Sequence, residues 1–84
     1  MTVRVRLFAR ARDLAGTSTV AVELADGATV AELRRRLAER CPALKALLPH
    51  SVFAVNDEFA DDALTLTQGA VIALLPPVSG GSNG

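Results

Sequence analysis

From Thr2 to Phe8 the chain alternates without interruption, with Val3, Val5 and Leu7 on one side and Arg4, Arg6 and Phe8 on the other. A two-residue period is that of a β-strand, and the alternation of apolar with charged residues makes it half-buried, one side on a core and one towards solvent. Phe8 is thereby placed among the arginines, on the solvent side. Thr19 to Leu24 repeats the pattern, with Val20, Val22 and Leu24 facing one way and Thr19, Ala21 and Glu23 the other. Asp13-Leu14-Ala15-Gly16 interrupts it, so the two strands are predicted to form a hairpin.

A sheet with one apolar side needs a layer to cover it. After the turn at Asp26-Gly27, Thr29 and Glu32 have the spacing of a capping box, in which each side chain bonds the other residue's backbone N–H. In the helix that follows, Val30, Leu33, Leu37 and Cys41 share one face. Glu32, Arg34, Arg35, Arg36, Glu39 and Arg40 cover the rest, the three consecutive arginines forming its solvated side. Pro42 disfavours helical geometry at Cys41 and stops the helix there. A short irregular or helical stretch through Leu44, Leu47 and Leu48 leads past Pro49 to a strand over Ser51–Asn56, which ends in the turn formers Asn56-Asp57. Leu64 and Leu66 alternate with Thr65 and Thr67, Gln68-Gly69 turns again, and a last strand runs from Val71 to Leu75. Pro76-Pro77 ends it, because neither residue can donate a ladder hydrogen bond. The order of strand, strand, helix, strand or strands, strand predicts an α+β β-grasp roll, a mixed ubiquitin-like sheet with one main helix on one face and the last strand beside the first. Residues 1–75 form the domain, and residues 76–84 a flexible tail carrying Gly-Gly.

Composition narrows the function. The chain has 84 residues, enough for one domain and little room for an enclosed active site. Nine basic and nine acidic residues cancel, so no sequence-wide field draws it to nucleic acid or to an anionic membrane. The only aromatic residues are Phe8, Phe53 and Phe59, which leaves an aliphatic core. Cys41 stands alone and forms neither an internal disulfide nor a thiolate-rich metal site, and it reads as a buried structural thiol in a reducing, cytoplasmic setting. No apolar run has the length of a signal peptide or a membrane span. His50 reads as a loop residue. Asp57, Glu58, Asp61 and Asp62 lack the ligand spacing of a calcium loop and read as solvated turns, so no metal is expected.

Leu7-Phe8-Ala9-Arg10, Leu14-Ala15-Gly16, Thr29-Val30-Ala31-Glu32-Leu33, Val55-Asn56 and above all Leu74-Leu75-Pro76-Pro77-Val78-Ser79-Gly80-Gly81 resemble the small, sulfur-carrying subunit of molybdopterin synthase. The resemblance spans nearly the whole chain, and the Pro-Pro-Val-Ser-Gly-Gly tail after the last strand is its most specific part. It implies a cycle in which an activating enzyme related to those of ubiquitin spends ATP to adenylate the carboxylate of Gly81. A sulfur donor then converts that end to a thiocarboxylate. The loaded tail enters the large catalytic subunit, in a heterotetramer, and gives its sulfur to the cyclic pyranopterin precursor of the molybdenum cofactor. No cofactor is held permanently, and the chain is a sulfur-carrying subunit rather than a stand-alone enzyme.

Residue chemistry agrees with that implication. Adenylation gives a poorly electrophilic carboxylate a good leaving group, and the product carries sulfur as a soft nucleophile. Gly80 and Gly81 remove side chains that would obstruct a narrow partner tunnel. Pro76, Pro77, Val78, Ser79, Gly80 and Gly81 reach about 20 Å when extended, so the end can enter a pocket while the domain stays outside. Phe8 and Leu75 are expected on the outer sheet face as a partner anchor, and the resemblance adds Phe59 to that patch. Two departures bear on this reading. The chain continues past Gly81 as Ser82-Asn83-Gly84, so Gly81 has no free carboxylate as written. A protease trims these residues, they are foreign to the natural protein, or the end is not charged. At Gln68-Gly69-Ala70-Val71 related chains tend to carry acidic residues. The alternatives are a carrier of sulfur for thiamine, tRNA or cysteine, a ubiquitin-like modifier joined through Gly81 to lysines, and an interaction domain without tail chemistry.

Overall fold

The computed structural model describes residues 1–76. The tail roles expected of Pro77, Val78, Ser79, Gly80 and Gly81 fall outside the described residues. Strand β1 (Thr2–Leu7) is followed by a short helix α1 (Ala9–Ala15), then β2 (Thr19–Glu23) and the main helix α2 (Val30–Arg40). Two 3₁₀ turns, Pro42–Leu44 and Leu48–His50, lead to β3 (Val52–Val55), β4 (Glu58–Ala60) and β5 (Val71–Leu75). The sheet order is β2-β1-β5-β3-β4. β1 and β5 run parallel at its centre, with Arg4 opposite Val71 and Leu7 opposite Leu74. The other pairings are antiparallel, which makes the sheet mixed. This is the β-grasp arrangement expected from the element order, with the last strand beside the first.

One face of the sheet is buried beneath α2. Val3, Val5 and Leu7 of β1, Val20 and Val22 of β2, Phe53 and Val55 of β3, and Ile72 and Leu74 of β5 meet Val30, Leu33 and Leu37 of α2 and Leu44 and Leu48 of the 3₁₀ turns. Removal of this aliphatic surface from water is the main force holding so small a domain together.

The N-terminus of α2 shows how the loop after β4 is fixed. The first N–H groups of a helix have no partner within it. Here Val30 N–H donates to Leu64 O (3.0 Å), Ala31 N–H to Asp62 O (3.1 Å) and Glu32 N–H to the Thr29 hydroxyl (3.4 Å). Leu66 N–H returns a bond to Ala28 O at 2.8 Å, and Thr29 and Thr65 form an isolated bridge. The Thr29 half of the capping box is therefore formed, whereas the Glu32 carboxylate turns instead to Arg35 at 2.5 Å.

Three expectations are corrected. The break between β1 and β2 is helical rather than a plain turn, with Gly16 (φ 75°) closing α1 in the left-handed conformation and its N–H bonding Arg12 O. The alternation of Leu64 to Thr67 is not a strand, because Leu64 is exposed and the segment is held by the end of α2 rather than by a sheet neighbour. The strand after the Asn56-Asp57 turn is Glu58–Ala60. Arg34, expected on the solvated side of the helix, is instead only 21% exposed. Its guanidinium donates to the carbonyls of Leu48 and Ser51 (2.8 Å to the latter) and to the Asp62 carboxylate (2.9 Å), and lies 5.1 Å from the centre of the Phe53 ring.

Candidate functional site

The sheet face away from α2 has no layer over it among the described residues, and the strand register sets out its residues in rows. The row at the end where β5 leaves the domain holds Leu75 opposite Val52, with Phe8 following Leu7, whose partner is Leu74. The next row runs Thr19, Arg6, Ala73, Ala54, Phe59 across all five strands. In the third, Arg4 stands between Ala21 and Val71.

Except for Phe59, whose strand is exposed or half-buried throughout, each of these positions alternates with a buried neighbour, so the same patterning that builds the core leaves this side to solvent. Phe59 is 79% exposed, Val71 57% and Phe8 38%. Leu75, Val52, Ala54 and Ala73 are half-buried. Together they make an apolar field across β3, β4 and β5 that ends beside Pro76, which is exposed. Phe8 has left strand pairing to become the N-cap residue of α1, yet its backbone stays extended (φ −132°, ψ 158°). It remains beside Arg6, whose guanidinium carbon is 5.6 Å from the centre of the ring.

The expected anchor residues Phe8, Leu75 and Phe59 therefore all lie on the outer face, though not in one tight cluster. Phe59 belongs to the edge strand β4, two strands and about 10 Å from β5. Val52, Ala54, Ala73 and Val71 fill the interval. Sequence reasoning did not single these four out, although alternation in β3 and β5 carries the signal.

Other candidate chemistry is sparse. Among the described residues no three His, Cys, Asp or Glu side chains are grouped to hold a metal ion. Cys41 is half-buried against the core at the end of α2. His50 is exposed at the end of a 3₁₀ turn. Asp61 closes a local turn by accepting from Ala63 N–H at 2.9 Å, and Asp62 is engaged by Arg34. These contacts account for two of the four acidic residues as structural. Nor is any helix among the described residues long and apolar enough to cross a membrane.

Comparison with known proteins agrees with this geometry. The chain is 36% identical over 83 residues to the molybdopterin synthase sulfur carrier subunit of Chlamydomonas reinhardtii, covering 96% of this chain and all of that one. Its fold superposes with a TM-score of 0.83 on small archaeal modifier protein 1 of Haloferax volcanii, at 30% identity over 92% of this chain and 98% of that one. A TM-score of 0.67, with 33% identity over 96% of this chain and all of the other, relates it to a chain in the protein–protein complex of subunits 1 and 2 of the molybdopterin-converting factor from Helicobacter pylori. Residues 5–81 match the ThiS family, nearly the whole length, and the chain belongs to that family.

Proposed function

We propose that this protein is the sulfur carrier of molybdenum cofactor biosynthesis, working as the small subunit of molybdopterin synthase. The observation that carries the proposal is an apolar outer sheet face ending at the point where the tail leaves the domain. Such a face docks the domain on a partner and aims the tail at the partner's interior. The sulfur-carrier relative and the two-subunit complex with a similar chain support the same reading.

The working end is Gly81, once its carboxylate is exposed. An activating adenylyltransferase joins that carboxylate to AMP and releases pyrophosphate from ATP. Sulfide-level sulfur delivered by a donor protein then attacks the acyl carbon, AMP leaves, and a thiocarboxylate remains. In the large subunit the thiocarboxylate sulfur bonds to an oxygen-bearing carbon of the cyclic pyranopterin precursor as the C–O bond there breaks and its oxygen leaves. Hydrolysis of the acyl–sulfur bond then leaves sulfur on the precursor and returns Gly81 as a carboxylate. ATP is a substrate of the activating step. Phe8, Phe59 and Leu75 anchor the domain, while Pro76, Pro77, Val78, Ser79 and Gly80 span the distance to the partner's active site. The cycle belongs in the reducing cytoplasm.

The test is the intact mass of a form ending at Gly81, incubated with its activating enzyme, ATP and a sulfur source. A gain of about sixteen mass units, sulfur for oxygen, is expected. A mass that never shifts overturns the reading. A second reading, a protein modifier, is favoured by the likeness to small archaeal modifier protein 1. It requires isopeptides between Gly81 and lysines of cellular proteins, and mass spectrometry of tryptic digests separates the two.

A further inference from the structure

Arg4 and Arg6 lie on the outer face of β1, immediately beside the apolar field of β3, β4 and β5. Both are exposed, and neither makes an ion pair among the described residues. On the outer face the nearest carboxylate in β2, Glu23, takes the Thr2 hydroxyl. Thr2, Arg4 and Arg6 line one side of an open cleft of about 540 Å³, with Thr19 at one end and Gln68, Gly69, Ala70 and Val71 on the opposite side. The cleft therefore has a basic wall on β1 and an apolar wall at Val71. Phe8 holds the Arg6 guanidinium through a cation–π contact, so part of the basic wall is ordered before any partner arrives.

Charge is segregated across the sheet. Asp57 and Asp61 are exposed at the two ends of edge strand β4, three strands from β1 and its two arginines, whereas Glu58, opposite the buried Val55, belongs to the α2 side. A chain of zero formal net charge thus presents a basic flank and an acidic flank on either side of an apolar strip.

We propose that Arg4 and Arg6 are the orienting contacts of the docking face, and that the large synthase subunit lays a ridge of Asp or Glu carboxylates into the β1 cleft while its apolar surface covers β3 and β5. The inference rests on the sulfur-carrier reading above and adds to it the charge pattern of the partner. Two guanidiniums on one strand face suit a pair of carboxylates, since each offers several N–H donors in a planar fork. Exposed rim charges act chiefly on encounter and orientation, whereas the apolar contacts set how long the complex lasts. The polarity also disfavours the reversed orientation, which would set the partner's acidic ridge against Asp57 and Asp61.

The test is stopped-flow association of the full chain with the large synthase subunit of the same organism, over a range of salt concentrations. For Arg4→Ala/Arg6→Ala, association at low salt slows about tenfold while dissociation changes little, and the difference closes as salt screens the wild-type attraction. Arg4→Lys/Arg6→Lys retains most of the rate. Phe59→Ala accelerates dissociation at every salt concentration. Circular dichroism melts establish that each variant is folded before it is mixed. Association of the alanine pair at the wild-type rate, or a defect undiminished at high salt, overturns the inference and leaves the carrier reading intact. Wild-type protein that does not bind the large subunit at all overturns both.

Discussion

At the scale of single residues, Arg34 shows how a charged side chain becomes part of a core. Its guanidinium joins α2 to the 3₁₀ turn at Leu48, to Ser51 at the entry to β3, and to Asp62 in the loop after β4. Those partners lie 14, 17 and 28 residues away along the chain, so nothing in the local pattern of Arg34-Arg35-Arg36 separates the first arginine from the other two. Arg34→Ala removes the guanidinium donor from the Ser51 carbonyl and from Leu48 O, which keeps only the Ser51 N–H, and uncovers one face of Phe53, so we expect it to cost about 2 kcal/mol in urea unfolding. Arg34→Lys recovers only part, since an ammonium cannot match the planar fork. Arg35→Ala, by contrast, removes an exposed pair with Glu32 and should cost no more than about 0.5 kcal/mol. Ala9 is the converse case, a small side chain in a costly backbone conformation at φ 49°. Ala9→Gly relieves the clash of Cβ with the backbone, and the expected gain in the same assay is about 0.5 kcal/mol after the added freedom of the unfolded chain is deducted.

At the scale of elements, the β3–β4 hairpin turns on two residues, Asn56 (φ 51°) and Asp57 (φ 69°), the left-handed pair that suits a tight connection between twisted strands. Asn56 also ties the hairpin to the start of β5: its N–H donates to Val71 O at 2.8 Å, and its side-chain oxygen accepts from Val71 N–H at 3.0 Å. Asn56→Ala removes the side-chain bond and places a less tolerant residue at positive φ, so a loss of about 2 kcal/mol is expected, with hydrogen exchange accelerated at Val71. Elements of this kind were legible where the local signal was strong. The sequence pattern of α2 marked both a capping threonine and a stop at Pro42, and Val71–Leu75 was bounded by Gly69 and Pro76-Pro77. α1 was not legible because its two turns bury only Ala11 and so carry little periodicity. Nor was β4, whose three residues are exposed or half-buried and are held in strand form by β3 rather than by alternation of their own. The same physics divides the site: Phe8 and Leu75 follow from strand facing, whereas Phe59 sits on that unreadable edge and was identified through resemblance alone.

At the scale of the whole molecule, the sheet puts its core on one face and its exposed apolar side chains on the other. Among the described residues every large side chain that is fully buried lies on the α2 side, while Phe59, Val71 and Phe8 sit on the other at little cost to the fold. Substitutions on the two faces should therefore fail in different assays. Leu37, with no exposed surface, leaves a cavity when truncated, and Leu37→Ala is expected to cost about 3 kcal/mol in unfolding. Thiocarboxylate formation and sulfur transfer should persist in whatever fraction remains folded. Phe59→Ala should leave stability within about 0.5 kcal/mol of the parent, because the ring packs mainly against solvent. Sulfur transfer in the presence of the large subunit should nonetheless fall about tenfold at subsaturating concentrations, as expected for loss of an aromatic anchor from an interface. Recovery of the rate as the large subunit is raised to excess would locate the defect in docking rather than in tail chemistry. A Phe59→Ala protein that unfolds readily, or that transfers sulfur at the parent rate under dilute conditions, would mean that the exposed face is not where the partner binds.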